Sequence, residues 1–194
     1  MSQANMTELD AVNRMLLTIS EQKVNSLESS GVIEVDVARD TLQDVSREVQ
    51  GEGWRFNTEH GIRLKPDING NINLPANCLA VWRADRGRPQ VEQRGIRLYN
   101  LTDRSYTFKA TLVVSAMYCR EWEELIPAAK TYIVQRACRQ FQEIMTGSQV
   151  TEEFVLRREA QTRTQLEAAD ARNAGYNMLT DNRPSVDAVM RDRW

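Results

Sequence analysis

The chain has 194 residues and a mass of 22.3 kDa, with 41% apolar and 27% charged side chains, nine glycines and five prolines. This excludes collagen-like and disordered classes, and a chain of this length buries enough surface to fold without metal or disulfide staples. Twenty-five Lys and Arg against twenty-seven Asp and Glu leave a formal charge of −2, which argues against a dedicated duplex-DNA binder, whose affinity rests on a basic surface.

No stretch approaches the roughly 18 apolar residues of a membrane span. The longest apolar run, Ala110 to Met117, is interrupted by Thr111 and Ser115. The start, Met1 to Glu8, lacks the basic and apolar regions of a secretory signal. Cys78, Cys119 and Cys138 are odd in number and widely spaced, which fits a reducing compartment. A soluble, cytosolically made protein is expected.

The N-terminal segment reads as helix. Thr7 stands three residues before Asp10, an N-cap with an acid in the first turn. Leu9, Val12, Leu16 and Ile19 then share one face. A polar stretch, Ser20 to Gly31, interrupts before a second helical stripe of Val35, Ala38, Leu42, Val45 and Val49, ended by Gly51 and Gly53.

From Trp54 to about Tyr118 the texture is β. Turn formers at Asn69-Gly70-Asn71, Leu74-Pro75-Ala76-Asn77, Arg86-Gly87-Arg88-Pro89 and Arg94-Gly95 separate short strand-like runs. These runs are Ile62–Lys65, Cys78–Trp82, Ile96–Tyr99 and Thr107–Tyr118. Ile62/Leu64 and Ile96/Leu98 alternate with basic residues, as in strands with one wet face. Such spacing predicts antiparallel hairpins and not the βαβ units of a Rossmann-like fold.

Helix returns at Pro127, with Ala129, Ile133, Ala137, Phe141 and Ile144 on one face and Gly147 as C-cap. Thr151 then caps a last helix that runs through Leu156, Arg163 and Leu166 to about Asn173, with Gly175 ending it. This helix is rich in Arg, Glu and Gln, so much of its surface should be wet or face a partner. The expected fold class is α+β. A four-helix bundle built from both chain ends (1–53 and 119–175) carries an inserted antiparallel β domain (54–118) and an extended C-terminal arm (176–194).

Catalytic signals are sparse. His60, the only histidine, lies in a turn-like Glu59-His60-Gly61, and no Gly-x-Ser-x-Gly elbow or Cys-centred motif accompanies it. Three scattered thiols and one imidazole do not supply a zinc site. Cys138 reads as buried in a helix, and the other two thiols as filling the β insert. Gly51-Glu52-Gly53 lacks the Lys-Ser/Thr of a phosphate loop and reads as a helix stop. Glu121, Glu123 and Glu124 around Trp122 could serve a glycosidase, which needs two carboxylates across a sugar bond; acids ahead of Pro127 also suit a helix start. Neither catalytic residues nor a cofactor are expected. Arg83, Arg86, Arg88, Arg94 and Arg97 form a locally basic segment suited to phosphates or to acidic residues of a neighbouring subunit. The arm carries apolar and basic anchors that can order on another protein: Tyr176, Met178, Leu179, Arg183, Val186, Val189, Met190 and Trp194.

Several stretches together resemble a known family. They are Glu8-Leu-Asp-Ala-Val-Asn-Arg-Met-Leu-Leu-Thr-Ile-Ser20, Val24-Asn-Ser-Leu-Glu28, Gly53-Trp-Arg-Phe-Asn57 and Gly61-Ile-Arg-Leu-Lys-Pro-Asp67. Ile126 to Phe141, with Ala137-Cys-Arg-Gln-Phe141, and Gly175-Tyr-Asn-Met-Leu179 complete the set. In this order they resemble the tail tubular A family of short-tailed bacteriophages. Ser20-Glu-Gln-Lys stands where the family has a Gly-Glu-Pro-Pro type of turn, and residues 78–110 match most weakly.

The resemblance implies a non-enzymatic virion tail protein, assembled in the host cytoplasm, that forms a ring of about twelve copies. The ring would join the portal protein to the nozzle protein (tail tubular protein B), with genomic DNA passing through it and no membrane involved. The arm residues above become portal contacts, and the five arginines become inter-subunit or nozzle contacts. Two other readings stay open: an adaptor with added polysaccharide hydrolase activity at Glu121–Glu124, and a DNA-binding module at Arg83–Arg97.

Overall fold

The computed structural model describes residues 6–28, 32–83, 89–147 and 152–173. The chain is α+β, and the described residues form four helices, α1 (Glu8–Thr18), α2 (Ile33–Gly51), α3 (Pro127–Thr146) and α4 (Glu152–Asn173). Five strands lie between α2 and α3: β1 (Thr58–Leu64), β2 (Cys78–Arg83), β3 (Val91–Arg94), β4 (Arg97–Asn100) and β5 (Leu112–Tyr118). Short 3-10 turns at Arg55–Asn57 and Trp122–Glu124 join the helical and β parts.

Local chemistry sets the helix ends. Thr7 Oγ1 accepts from the Asp10 amide at 3.1 Å while the Asp10 carboxylate accepts from the Thr7 amide at 3.1 Å, a reciprocal capping box. The Thr7 hydroxyl, which donates to the Asp10 carboxylate at 2.8 Å, and then the Thr7 amide hold the Asp10 carboxyl below its ordinary range. Gly147 closes α3 at φ +61, the left-handed position that glycine accepts without strain. After α1 the chain turns through Ser20 at φ +64.

One apolar core unites both ends of the chain. Val12, Met15 and Leu16 of α1, the α2 stripe, Ile133, Ala137 and Phe141 of α3, and Leu166 of α4 are all buried in it. Helix α3 sits centrally and packs against each of the other three. Arginines reinforce the packing of α4. Arg139 reaches Glu159 at 2.7 Å, and Glu52 at the end of α2 takes both Arg136 and Arg163 at 3.3 and 3.1 Å.

A second core of Ile72, Leu74, Cys78, Val81, Leu98, Phe108, Leu112, Val114 and Ala116 fills the β part. The larger sheet is antiparallel with order β1-β5-β2, and β3 pairs with β4 as a hairpin. The hairpin turns through Gly95 at φ +62 followed by Ile96, the pattern of a type II′ turn.

Gln50 and Asn57 lock the two parts together. Gln50, fully buried, accepts from the Arg120 amide at 2.7 Å and donates to the Arg120 carbonyl at 3.1 Å. Asn57 Nδ2 donates to the Gln50 carbonyl at 2.7 Å and the Tyr118 carbonyl at 3.1 Å.

Several expectations are corrected. Ile96 is 60% exposed because it occupies the hairpin turn, so only Leu98 of that alternating pair enters the core. Ile144 is 62% exposed in the last turn of α3, where Met145 packs against the core instead. Leu156 is exposed as well, which leaves Leu166 as the buried apolar anchor among the described side chains of α4. The run Thr107–Tyr118 becomes strand only from Leu112, since the Phe108 amide bonds the Gly70 carbonyl at 2.8 Å and its ring plugs the β core. His60 lies within β1, where a register shift between Glu59 and Ile62 and Gly61 at φ +73 form a bulge. Cys119 follows β5 and lines a groove beside α2 with Arg47 and Trp122, not the β core. Val91–Arg94 is a strand that apolar patterning does not reveal. Thr151, Gly175 and the arm 176–194 lie outside the described residues.

Candidate functional site

The basic segment is a built surface. Arg94 and Arg97 face each other across the ends of β3 and β4. Arg94 Nε donates to Glu92 at 2.8 Å, and its guanidinium lies 3.7 Å from the Tyr99 ring centre. Arg97 donates to Asn71 Oδ1 at 2.8 Å and lies 4.4 Å from the Tyr106 ring centre. The two rings meet edge to face, with centroids 4.9 Å apart at 71°. The result is a ladder in which each arginine is stacked, aimed and half-committed to a protein acceptor. The bond to Glu92 holds Arg94 more firmly charged. Arg83 ends β2 opposite Val114 on the larger sheet. Arg86, Arg88 and every arm residue from Tyr176 to Trp194 lie outside the described residues.

The acidic cluster is drawn into a different task. Lys130 is fully buried, with Nζ 3.6 Å from Glu123, 5.6 Å from the Trp122 ring centre and donating to the Met6 carbonyl at 3.3 Å. Trp122 Nε1 donates to the same carbonyl at 3.0 Å. Glu121 precedes the 3-10 turn and accepts the Glu124 amide on its backbone carbonyl at 3.0 Å. This group pins Met6, just ahead of α1, to α3. A groove of about 230 Å³ beside it is lined by Glu8, Glu121, Arg47 and Trp122, and Glu8 also pairs with Arg39 at 3.6 Å.

His60 Nδ1 lies 2.9 Å from Ser115 Oγ. Ser115 is buried in the middle of β5 and not raised on a strand-to-helix elbow. The three cysteines are free thiols. Burial pushes Cys138 up to about 11, partly opposed by the guanidiniums of Arg14 and Arg158, and raises Cys78 and Cys119 as well. Among the described residues no group of His, Cys, Asp and Glu is arranged to hold a metal ion, and no helix is long and apolar enough to cross a membrane.

A long concavity lies on the helical part. Helices α1 and α4 flank α3 and leave a groove of about 710 Å³, floored by Thr131, Val134, Gln135 and Cys138. Arg14 and Leu17 rise on the α1 side, and Arg158 and Gln161 on the α4 side. Neither this groove nor the Arg–Tyr ladder is legible as such in the sequence. The ladder needs the cross-strand register that brings Tyr99 and Tyr106 under the arginines; Arg97-x-Tyr99 on one strand face was its only local trace.

No curated protein matches the chain. Residues 9–176 match the family described as Tail tubular protein, a span that includes both helical ends and the β part between them. The chain therefore belongs to the tail tubular protein family and is a structural component of the virion tail.

Proposed function

We propose that the protein is a ring-forming adaptor that joins the portal to the nozzle and forms part of the DNA ejection channel. The observation that carries this reading is the family match across 9–176, in which helices and β part form one continuous unit. A ring of about twelve copies suits a chain with polar, unshielded helix faces, since closed rings form when one surface repeatedly meets a different surface of the next copy. The charge of −2 per chain sums to roughly −24 over such a ring, a field that lets DNA slide and not adhere. The stacked Arg94 and Arg97, with Arg83, suit contacts to carboxylates of a neighbour or of the nozzle better than a phosphate-tracking stripe. Three free thiols fit assembly in the host cytoplasm. The commitment of Glu123 to Lys130 supports a structural task for the acids and a chain without enzymatic activity.

The arm, with Tyr176, Met178, Leu179, Arg183, Val186, Val189, Met190 and Trp194, is the portal tether in this reading. Weak tethers repeated around a ring add avidity. Deleting 176–194 should abolish binding to portal-bearing, DNA-filled capsids while the melting temperature of the protein stays unchanged. Undiminished docking of the truncated chain would refute the tether.

A further inference from the structure

The groove between α1, α3 and α4 has a lining that defines what fits it. Pockets for small molecules are mostly apolar and aromatic, whereas this one has no aromatic side chain and is lined by Gln135, Gln142, Gln161 and Gln165 around Leu17 and Val134. Arg14 and Arg158 stand exposed at its two rims, close enough that both act on the Cys138 thiol. Among the described residues neither makes an ion pair, although Arg14 acts on the Asp10 carboxylate one turn away on α1. Leu17, on the same α1 rim as Arg14, is 52% exposed. The groove thus asks for an elongated ligand with an apolar start and a negatively charged edge.

The outer edge of α2 has that character. Ile33, at its first turn, is 73% exposed. Asp36, Asp40 and Asp44 follow at helical spacing, all exposed, and among the described residues only Asp44 of the three makes an ion pair, with Arg47 at 3.5 Å. Carboxylates four residues apart repel and weaken a helix. The helix dipole compensates Asp36 in the first turn but not Asp40 or Asp44 further along. The opposite face of α2 is buried against α1 and α3, and none of its residues lines the groove. A copy cannot fill its own groove with its own α2. We infer that the acidic edge of α2 from a second copy of this chain docks in the groove, with Ile33 against Leu17 and Asp36 and Asp40 against Arg14 and Arg158. Two different surfaces meeting in this way make a head-to-tail contact, which closes into a ring when the rotation per copy is commensurate. The inference rests on the ring reading above and supplies its subunit contact.

Charge reversal tests it on the full-length chain. One variant carries Asp36→Arg and Asp40→Arg, and a second carries Arg14→Glu and Arg158→Glu. Assembly is read as copies bound per portal-bearing capsid and as sedimentation of the protein alone. Each variant by itself should fall at least tenfold below the unmodified chain. An equimolar mixture should recover assembly, because the basic edge of one variant meets the acidic groove of the other, and the reverse contact keeps the native pairing of charges. Matching circular dichroism and melting curves establish that both variants fold. Should a double variant not fold, Asp40→Arg and Arg158→Glu alone must show the same loss and mutual rescue.

Assembly of either variant alone at the native level, or a mixture of folded variants that stays unassembled, would overturn the inference and leave the ring reading standing. Failure of the unmodified chain to assemble on portals would instead overturn the ring reading. A cross-link from Gln135→Cys to residues 176–194, and not to α2, would assign the groove to the chain's own end and refute the contact.

Discussion

Replacing Gln50 with Leu tests whether the helical and β parts are held by directed hydrogen bonds or only by apolar packing. The carboxamide of Gln50 is fully buried and pairs with both backbone groups of Arg120, at 2.7 and 3.1 Å, as a neighbouring strand would. Leu fills a similar volume, so no sizeable cavity opens, but the Arg120 amide and carbonyl lose their partner. Each such group left unsatisfied costs about 1–3 kcal/mol, so Gln50→Leu should destabilise by about 3 kcal/mol. For a chain of this size that lowers Tm by roughly 5–15 °C. Urea unfolding followed by circular dichroism measures the loss, with the exposed Gln43→Leu on the same helix as a control expected within about 0.5 kcal/mol of the native chain. Gln50→Glu sharpens the test. A carboxylate there would still accept from the amide but oppose the Arg120 carbonyl, so its folded-state pKa must rise above the usual value near about 4.3. Its deficit should be small below about pH 4, where the protonated acid can donate, and widen as pH rises toward neutrality. A Gln50→Leu loss below about 1 kcal/mol, or a pH-independent Gln50→Glu deficit, would refute the bonded clamp.

Two further outcomes follow from backbone strain and buried ionisation. Ser20 holds φ +64, a conformation costly to side chains other than glycine; Ser20→Gly should raise stability by up to about 1 kcal/mol, and an unchanged or lower Tm would contradict that account. Cys138, with its thiol raised to about 11, resists ionisation in the native state, whereas the unfolded thiol ionises near 9. Its contribution is therefore fully present below about pH 9 and lost as pH climbs through 11, on the order of 2–3 kcal/mol in all. Cys138→Ala should remove that part of the alkaline stability loss in parallel urea titrations, and identical pH slopes for the two chains would count against it.

The helical half is largely legible in the sequence. Val12, Leu16, Val35, Leu42, Ile133 and Phe141 occupy the core because their spacing puts them on single helical faces, and the Thr7–Asp10 cap forms from neighbours in sequence. The exceptions mark places where a helix runs past what covers it, as at Ile144, or where polar ties hold it, as along α4. In the β part the short runs between turn formers found β1, β2, β4 and the latter part of β5. They missed Val91–Arg94, whose Glu, Gln and Arg carry almost no apolar signal.

Buried polar groups were the hardest to foresee. Lys130 sits on the same stripe of α3 as its apolar neighbours, yet its burial depends on Trp122, Glu123 and the Met6 carbonyl converging from elsewhere. Gln50 likewise meets its partner 70 residues away in the chain. The amino-acid order by itself determined the helices, their buried faces, the turns and the family signature, because each depends on periodicities and contacts within a few residues. Only the tertiary structure decided the Arg–Tyr ladder, the clamp at Gln50 and the open groove on α3. These arise from the register and separation of elements distant in sequence, which packing of the whole chain fixes and local propensity does not.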